Sequence, residues 1–134
     1  MDPARVTAIP LFAGLSGPAL DAVCASVGEY RVDAGTTLAT EGDFGHGFFA
    51  IEAGTADVVR EGAVLARLGP GDVFGEIALL TSGRRTASVV ATSEMRLLTL
   101  FKRDLWRLEE RAPEVAEALR QTVRARLERA PAQL

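Results

Sequence analysis

Ten glycines, at positions 35, 42, 45, 47, 54, 62, 69, 71, 75 and 83, punctuate residues 30–100 and constrain the chain more than any other feature. Between them lie only short β-branched or apolar runs. Phe48-Phe49-Ala50-Ile51, Ala56-Asp57-Val58-Val59-Arg60 and Ala63-Val64-Leu65-Ala66-Arg67-Leu68 are the clearest strands, with Glu61-Gly62 as the hairpin turn between the last two. Residues 87–91 and 95–100 complete the set. No stretch within this region is long enough for a crossover helix. The predicted architecture is therefore α+β with an antiparallel, jelly-roll-like β-roll of about eight strands spanning residues 29–100, not a parallel sheet.

Helical texture flanks the roll. Residues 16–27 place Leu20, Val23, Cys24 and Val27 at helical spacing, with Ser16 as N-cap and Gly28 as terminator. After residue 100, one helix is expected from Lys102 to Arg111 and another from Pro113, whose fixed φ suits a first helical position. That last helix carries a narrow apolar stripe at Val115, Leu119, Val123 and Leu127, with Arg126 beside it. With 134 residues, 48% of them apolar, a single domain over 1–134 has enough material for a core.

Composition excludes several function classes. The formal net charge of −3 is spread over mixed signs, so no broad cationic footprint for nucleic acid or anionic lipid exists. Cys24 is the only cysteine and His46 the only histidine. A disulfide framework, a cysteine zinc site and a His/Asp metal cluster for phosphodiester hydrolysis are thereby ruled out; a reducing, cytoplasmic compartment fits. No apolar run approaches the roughly 20 residues that span a bilayer. Neither a catalytic residue nor a metal ligand is expected.

The chemistry concentrates in residues 74–89, FGEIALLTSGRRTASV. Ile77, Ala78, Leu79 and Leu80 predict one short helix beginning near Gly75. A glycine there lets an anion approach bare backbone N–H groups. Arg84 and Arg85 follow the turn Thr81-Ser82-Gly83, from which a guanidinium can fold back over the same spot. Because Glu76 would repel a phosphate, it suits a neutral neighbour on the same ligand, and a ribose hydroxyl is the usual one. Phosphate and ribose together indicate a nucleotide.

This segment resembles the phosphate-binding cassette of the cyclic nucleotide-binding domain family: Phe-Gly-Glu, an apolar residue, Ala-Leu, a variable stretch, then Arg-x-Ala-Ser/Thr-Val. The resemblance extends from Ile9-Pro10-Leu11-Phe12 through Glu41-Gly42-Asp43 and Ala53-Gly54-Thr55 to the last helix, and is strongest to channel regulatory domains, where Gly-Arg-Arg-Thr-Ala-Ser also occurs. It implies a non-catalytic sensor without a cofactor, whose ligand is cAMP, with cGMP as the alternative. Arg85 would pair with the exocyclic phosphate oxygens, assisted by backbone at Ile77, Ala78 and Ala87. Glu76 and the Gly75 backbone would take the ribose 2′-hydroxyl, and Thr86 holds the position that reaches the base in cGMP-preferring members. The two C-terminal helices, about 101–130, would form a lid, with Arg126 capping the base.

Departures from the family pattern are Arg84, where many members have proline, and Phe49 and His46, which replace a tyrosine and an acidic residue common in the glycine-rich β region. Arg84 is expected in solvent, His46 in a turn, Cys24 in the core, and Phe74 and Trp106 in packing. The signal would pass to a protein effector or a fused domain. DNA binding would need a longer protein, since no helix-turn-helix follows in this sequence. With only Met1 to Ala8 ahead of the family pattern, a standalone protein is expected over a channel or regulator fragment. A degenerate domain kept as an interaction module is the alternative to a sensor.

Overall fold

The computed structural model describes residues 1–43, 47–75 and 84–129, and within these the side chains of all but Phe48, Thr122, Val123 and residues 126–129. Eight strands form two four-stranded antiparallel sheets. They are β1 (Gly28–Val32), β2 (Thr37–Ala39), β3 (Gly47–Ala53), β4 (Ala56–Arg60), β5 (Ala63–Leu68), β6 (Val73–Phe74), β7 (Ser88–Ala91) and β8 (Met95–Phe101). One sheet has the order β1-β8-β3-β6 and the other β2-β7-β4-β5, the β-roll that the glycine spacing predicts.

Strand periodicity divides the apolar residues between two cores. Along β3 and β8, Phe49, Ile51, Met95 and Leu97 turn into the space between the sheets, where they meet Val58, Phe74, Ala87 and Val89. Their neighbours Ala50, Leu98 and Leu100 belong to a second cluster on the outer face of the first sheet. That is why β8, MRLLTLF, reads as an almost continuous apolar run: successive side chains point to opposite faces, and both faces are covered. The outer cluster is closed by helices α1 (Pro3–Thr7), α2 (Gly17–Ser26), α3 (Lys102–Arg111) and α4 (Pro113–Arg129), and by a 3-10 turn at Pro10–Phe12.

Most element boundaries agree with the sequence. Strand β4 and helix α3 match residue for residue, and the Glu61-Gly62 hairpin has positive φ at both positions, 51° and 80°, the geometry of a type I′ turn. Cys24 and Phe74 are buried. Four differences stand out. Ser16 does occupy the N-cap of α2, but its side chain makes no capping hydrogen bond. Helix α1 has no apolar periodicity to announce it; it starts because Asp2 accepts from the Ala4 N–H at 2.9 Å and Pro3 fits the first turn. Among the described side chains of α4, Ala116 is buried beside the expected Val115 and Leu119, so the apolar face is broader than a four-residue repeat, while Val123 and Leu127 lie outside the described side chains. Finally, Trp106 is 59% exposed instead of packed, since α3 turns Leu105 and Leu108 inward and leaves the indole outside. The short cassette helix and His46 lie outside the described residues.

Candidate functional site

The site is built around Arg85, in the segment leading into β7. Its backbone is paired on both sides with the loop after β2: the Arg85 N–H donates to the Asp43 carbonyl at 2.6 Å, and its carbonyl accepts from the Gly42 N–H at 3.0 Å. The half-buried guanidinium donates from Nη2 to the Gly47 carbonyl at 2.7 Å.

Gly75, at the end of β6, completes this arrangement. Its φ of +84° lies in the left-handed region, where a side chain is strained. A Cβ there would also sit 2.8 Å from the Gly47 carbonyl oxygen and would collide with the Arg85 guanidinium. Two independent constraints therefore demand glycine. Gly47 is as tightly set on its other side: a Cβ would lie 2.8 Å from the Leu100 carbonyl oxygen and 2.9 Å from Phe101 Cα, where β3 meets β8. The Gly47 carbonyl thus holds the guanidinium, and Gly75 leaves the room that it occupies. Beneath them Phe49 and Phe74 stack at 5.0 Å, and Phe101 meets Phe49 edge-on at 6.3 Å.

The residues beside Arg85 are tied to the second sheet. Thr86 is exposed, and its carbonyl accepts from Arg60 Nε at 2.9 Å. Ala87 is buried in the inter-sheet core. Glu41 donates its N–H to Ser88 Oγ at 2.9 Å and accepts the Glu61 N–H on Oε1 at 3.1 Å, pinning the β4–β5 turn to the same loop. Arg84 is exposed, as expected, and Nη1 donates to the Gly42 carbonyl at 2.8 Å.

Of the predicted site residues, Gly75, Arg85, Thr86 and Ala87 are brought together here. Glu76, Ile77 and Ala78, and the side chain of Arg126, lie outside what is described. Sequence reasoning left out Gly47, Asp43 and Arg60, which support Arg85 and Thr86. Gly47 could have been found in the glycine cluster 42-45-47; nothing local marks Arg60, which reaches Thr86 only across the sheet.

Among the described residues, no group of three or more His, Cys, Asp and Glu side chains converges to hold a metal ion. The arrangement offers a guanidinium and glycine backbone, groups suited to anion capture.

The fold is an antiparallel β-roll in which one arginine is set against glycine backbone. The cyclic nucleotide-binding domain model matches residues 29–112, well over half of the sequence, and the chain belongs to that family. The cyclic AMP receptor protein of Thermus thermophilus is 34% identical over 130 residues, covering 93% of this chain and 60% of the relative. A cyclic nucleotide-gated potassium channel of Rhizobium etli is 35% identical over 117 residues, covering 87% of this chain and 33% of the relative. The chain thus spans between a third and three fifths of the length of these two curated relatives. Among solved structures, the N-terminal domain of a transcriptional regulator from Streptomyces coelicolor superposes with a TM-score of 0.80 at 34% identity, over 95% of this chain and 92% of that one. No helix among the described residues is long and apolar enough to cross a membrane.

Proposed function

We propose that this chain, as one domain over 1–134, is a non-catalytic sensor that binds cAMP or cGMP and reports occupancy by movement of α3 and α4. The observation that carries this reading is the Arg85 guanidinium held over Gly75 by the Gly47 carbonyl. A cyclic phosphate has one negative charge, and a guanidinium with neighbouring backbone N–H groups can satisfy it without a metal. Arg85 takes the exocyclic oxygens, with backbone at Ile77, Ala78 and Ala87. Glu76 and the Gly75 backbone take the ribose 2′-hydroxyl. Thr86, which is exposed beside Arg85, contacts the base, and Arg126 caps it. Binding shifts the population of the C-terminal helices, and the shift can be no larger than the difference in affinity between the two states. The output passes to a protein effector or fused domain in the cytoplasm.

Isothermal titration of nucleotide-stripped protein with cAMP, then cGMP, tests the reading. We expect low-micromolar or tighter binding of one of them. Each charge-assisted hydrogen bond contributes about 1.5–3 kcal/mol, so Arg85→Ala should weaken binding on the order of 10- to 1000-fold. Absence of heat with either nucleotide from a folded sample would make the chain a ligand-free interaction module. Equal affinity in Arg85→Ala would remove Arg85 from the site.

A further inference from the structure

Among the described residues, the first turns of α3 carry a surface that neither core cluster uses. Trp106 is the only tryptophan in the chain and is 59% exposed. With Phe101, Lys102 and Arg103 it lines an open groove of about 370 Å3. Lys102 and Arg103 lie four and three residues before Trp106, so all three share one helix face, and the Arg103 guanidinium sits 5.8 Å from the centre of the Phe101 ring.

Several arginines elsewhere on the molecule are neutralised by acidic neighbours. Arg5, Arg31, Arg67, Arg96 and Arg120 each pair with a carboxylate. Among the described residues Lys102, Arg103 and Arg107 have no such partner, although the chain as a whole is acidic. Lys102 and Arg103 stand in the first turn, where the helix dipole favours acidic groups, and Asp104 of the same turn accepts from the Phe101 N–H at 3.0 Å. A local cationic rim around a solvent-facing aromatic floor complements a ligand that is acidic and carries an apolar anchor. Net charge of −3 disfavours a long polyanion or an anionic bilayer, which would meet the rest of the surface as well.

We propose that the Phe101–Trp106 groove, rimmed by Lys102 and Arg103, is a docking site for an acidic amphipathic segment of a partner protein, an apolar side chain of which covers the indole. Tryptophan and arginine are the residue types that most often dominate such contacts. The proposal stands independently of whether a nucleotide occupies the Arg85 site.

Because Trp106 is the sole indole, its fluorescence reports this groove directly. The probe is a synthetic peptide of about 15 residues with Leu and Phe at helical spacing and Glu elsewhere, set against the same peptide with Lys in place of Glu. The expected result is a saturable blue shift with the acidic peptide alone. Arg103→Glu should weaken binding by about tenfold or more, while Arg124→Glu, an equal charge change on exposed α4, should leave it unchanged. A response equal for both peptides, or none, overturns the proposal. So does a shift that develops on raising protein concentration alone, which would assign the groove to a second copy, or one obtained only with duplex DNA or phosphatidylserine vesicles.

Discussion

The Gly47 carbonyl accepts from Arg85 Nη2 at 2.7 Å, and the same oxygen lies 2.8 Å from where a side chain at Gly75 would begin. One backbone atom of β3 thus fixes the arginine and forbids any bulk opposite it. A first prediction follows for Gly75→Ala. The substitution brings both a strained φ and a clash, a cost of about 1–3 kcal/mol, and displaces the guanidinium. Thermal melts should show the loss of stability, and nucleotide titration a loss of affinity of about tenfold or more.

Arg85→Lys separates charge from shape. Lysine keeps the positive charge but lacks the planar fork that can reach the Gly47 carbonyl and a phosphate together. Its affinity for the nucleotide should fall between those of the native protein and Arg85→Ala, by about tenfold from native. Calorimetry of the three proteins side by side gives the order.

Helix α1 is fastened to the first sheet by charge. Arg5 donates from Nε to Glu52 Oε2 at 2.9 Å and from Nη2 to Oε1 at 2.5 Å, while Arg96 Nε lies 3.4 Å from the same carboxylate. Glu52 holds the Arg5 guanidinium protonated more firmly than usual. The Glu52 side chain is only 8% exposed but that of Arg5 is 32% exposed, so the loss in Glu52→Gln should be about 1–2 kcal/mol, below that of a fully buried pair. Denaturant unfolding measures the loss, and faster amide exchange in residues 3–7 should accompany it.

Two aromatic truncations should behave in opposite ways. Phe74 is fully buried and stacked on Phe49, so Phe74→Ala should cost about 3–5 kcal/mol. Trp106→Ala, at an exposed position, should stay within about 0.5 kcal/mol of native stability. Urea midpoints at equal m-values would compare them.

Burial pushes the Cys24 thiol above its usual pKa. The native state then holds this proton more tightly than the unfolded chain. Its contribution to stability is complete below the unfolded thiol's pKa of about 9 and declines as pH rises through the native value. Alkylation by iodoacetamide at mildly alkaline pH should be slow in the folded protein and fast after denaturation. Rapid labelling of the native state would contradict the burial.

Much of this molecule was legible before any coordinates, and the reasons are local. The type I′ turn needs only two residues that tolerate positive φ, which Glu61-Gly62 supply. Helix α3 follows from apolar spacing within its own ten residues, KRDLWRLEER. The cassette motif singles out Gly75 and Arg85 because both constraints on the site, a left-handed backbone and a fixed cation, fall on particular residue types. Other features depend on what lies across the fold. Composition alone does not separate Trp106 from Phe74: their exposure depends on which side of α3 or β6 meets a neighbour. Nor does any local pattern link Arg60 to Thr86, Arg5 to Glu52, or Gly47 to Arg85, residues 26, 47 and 38 positions apart that meet only once the sheets are paired. Sequence determined the alternation, the turns and the type of chemistry, because those depend on residues close along the chain. Tertiary structure decided which carbonyl holds the arginine, which carboxylate anchors α1 and which indole remains in water, because those depend on register between strands far apart in sequence.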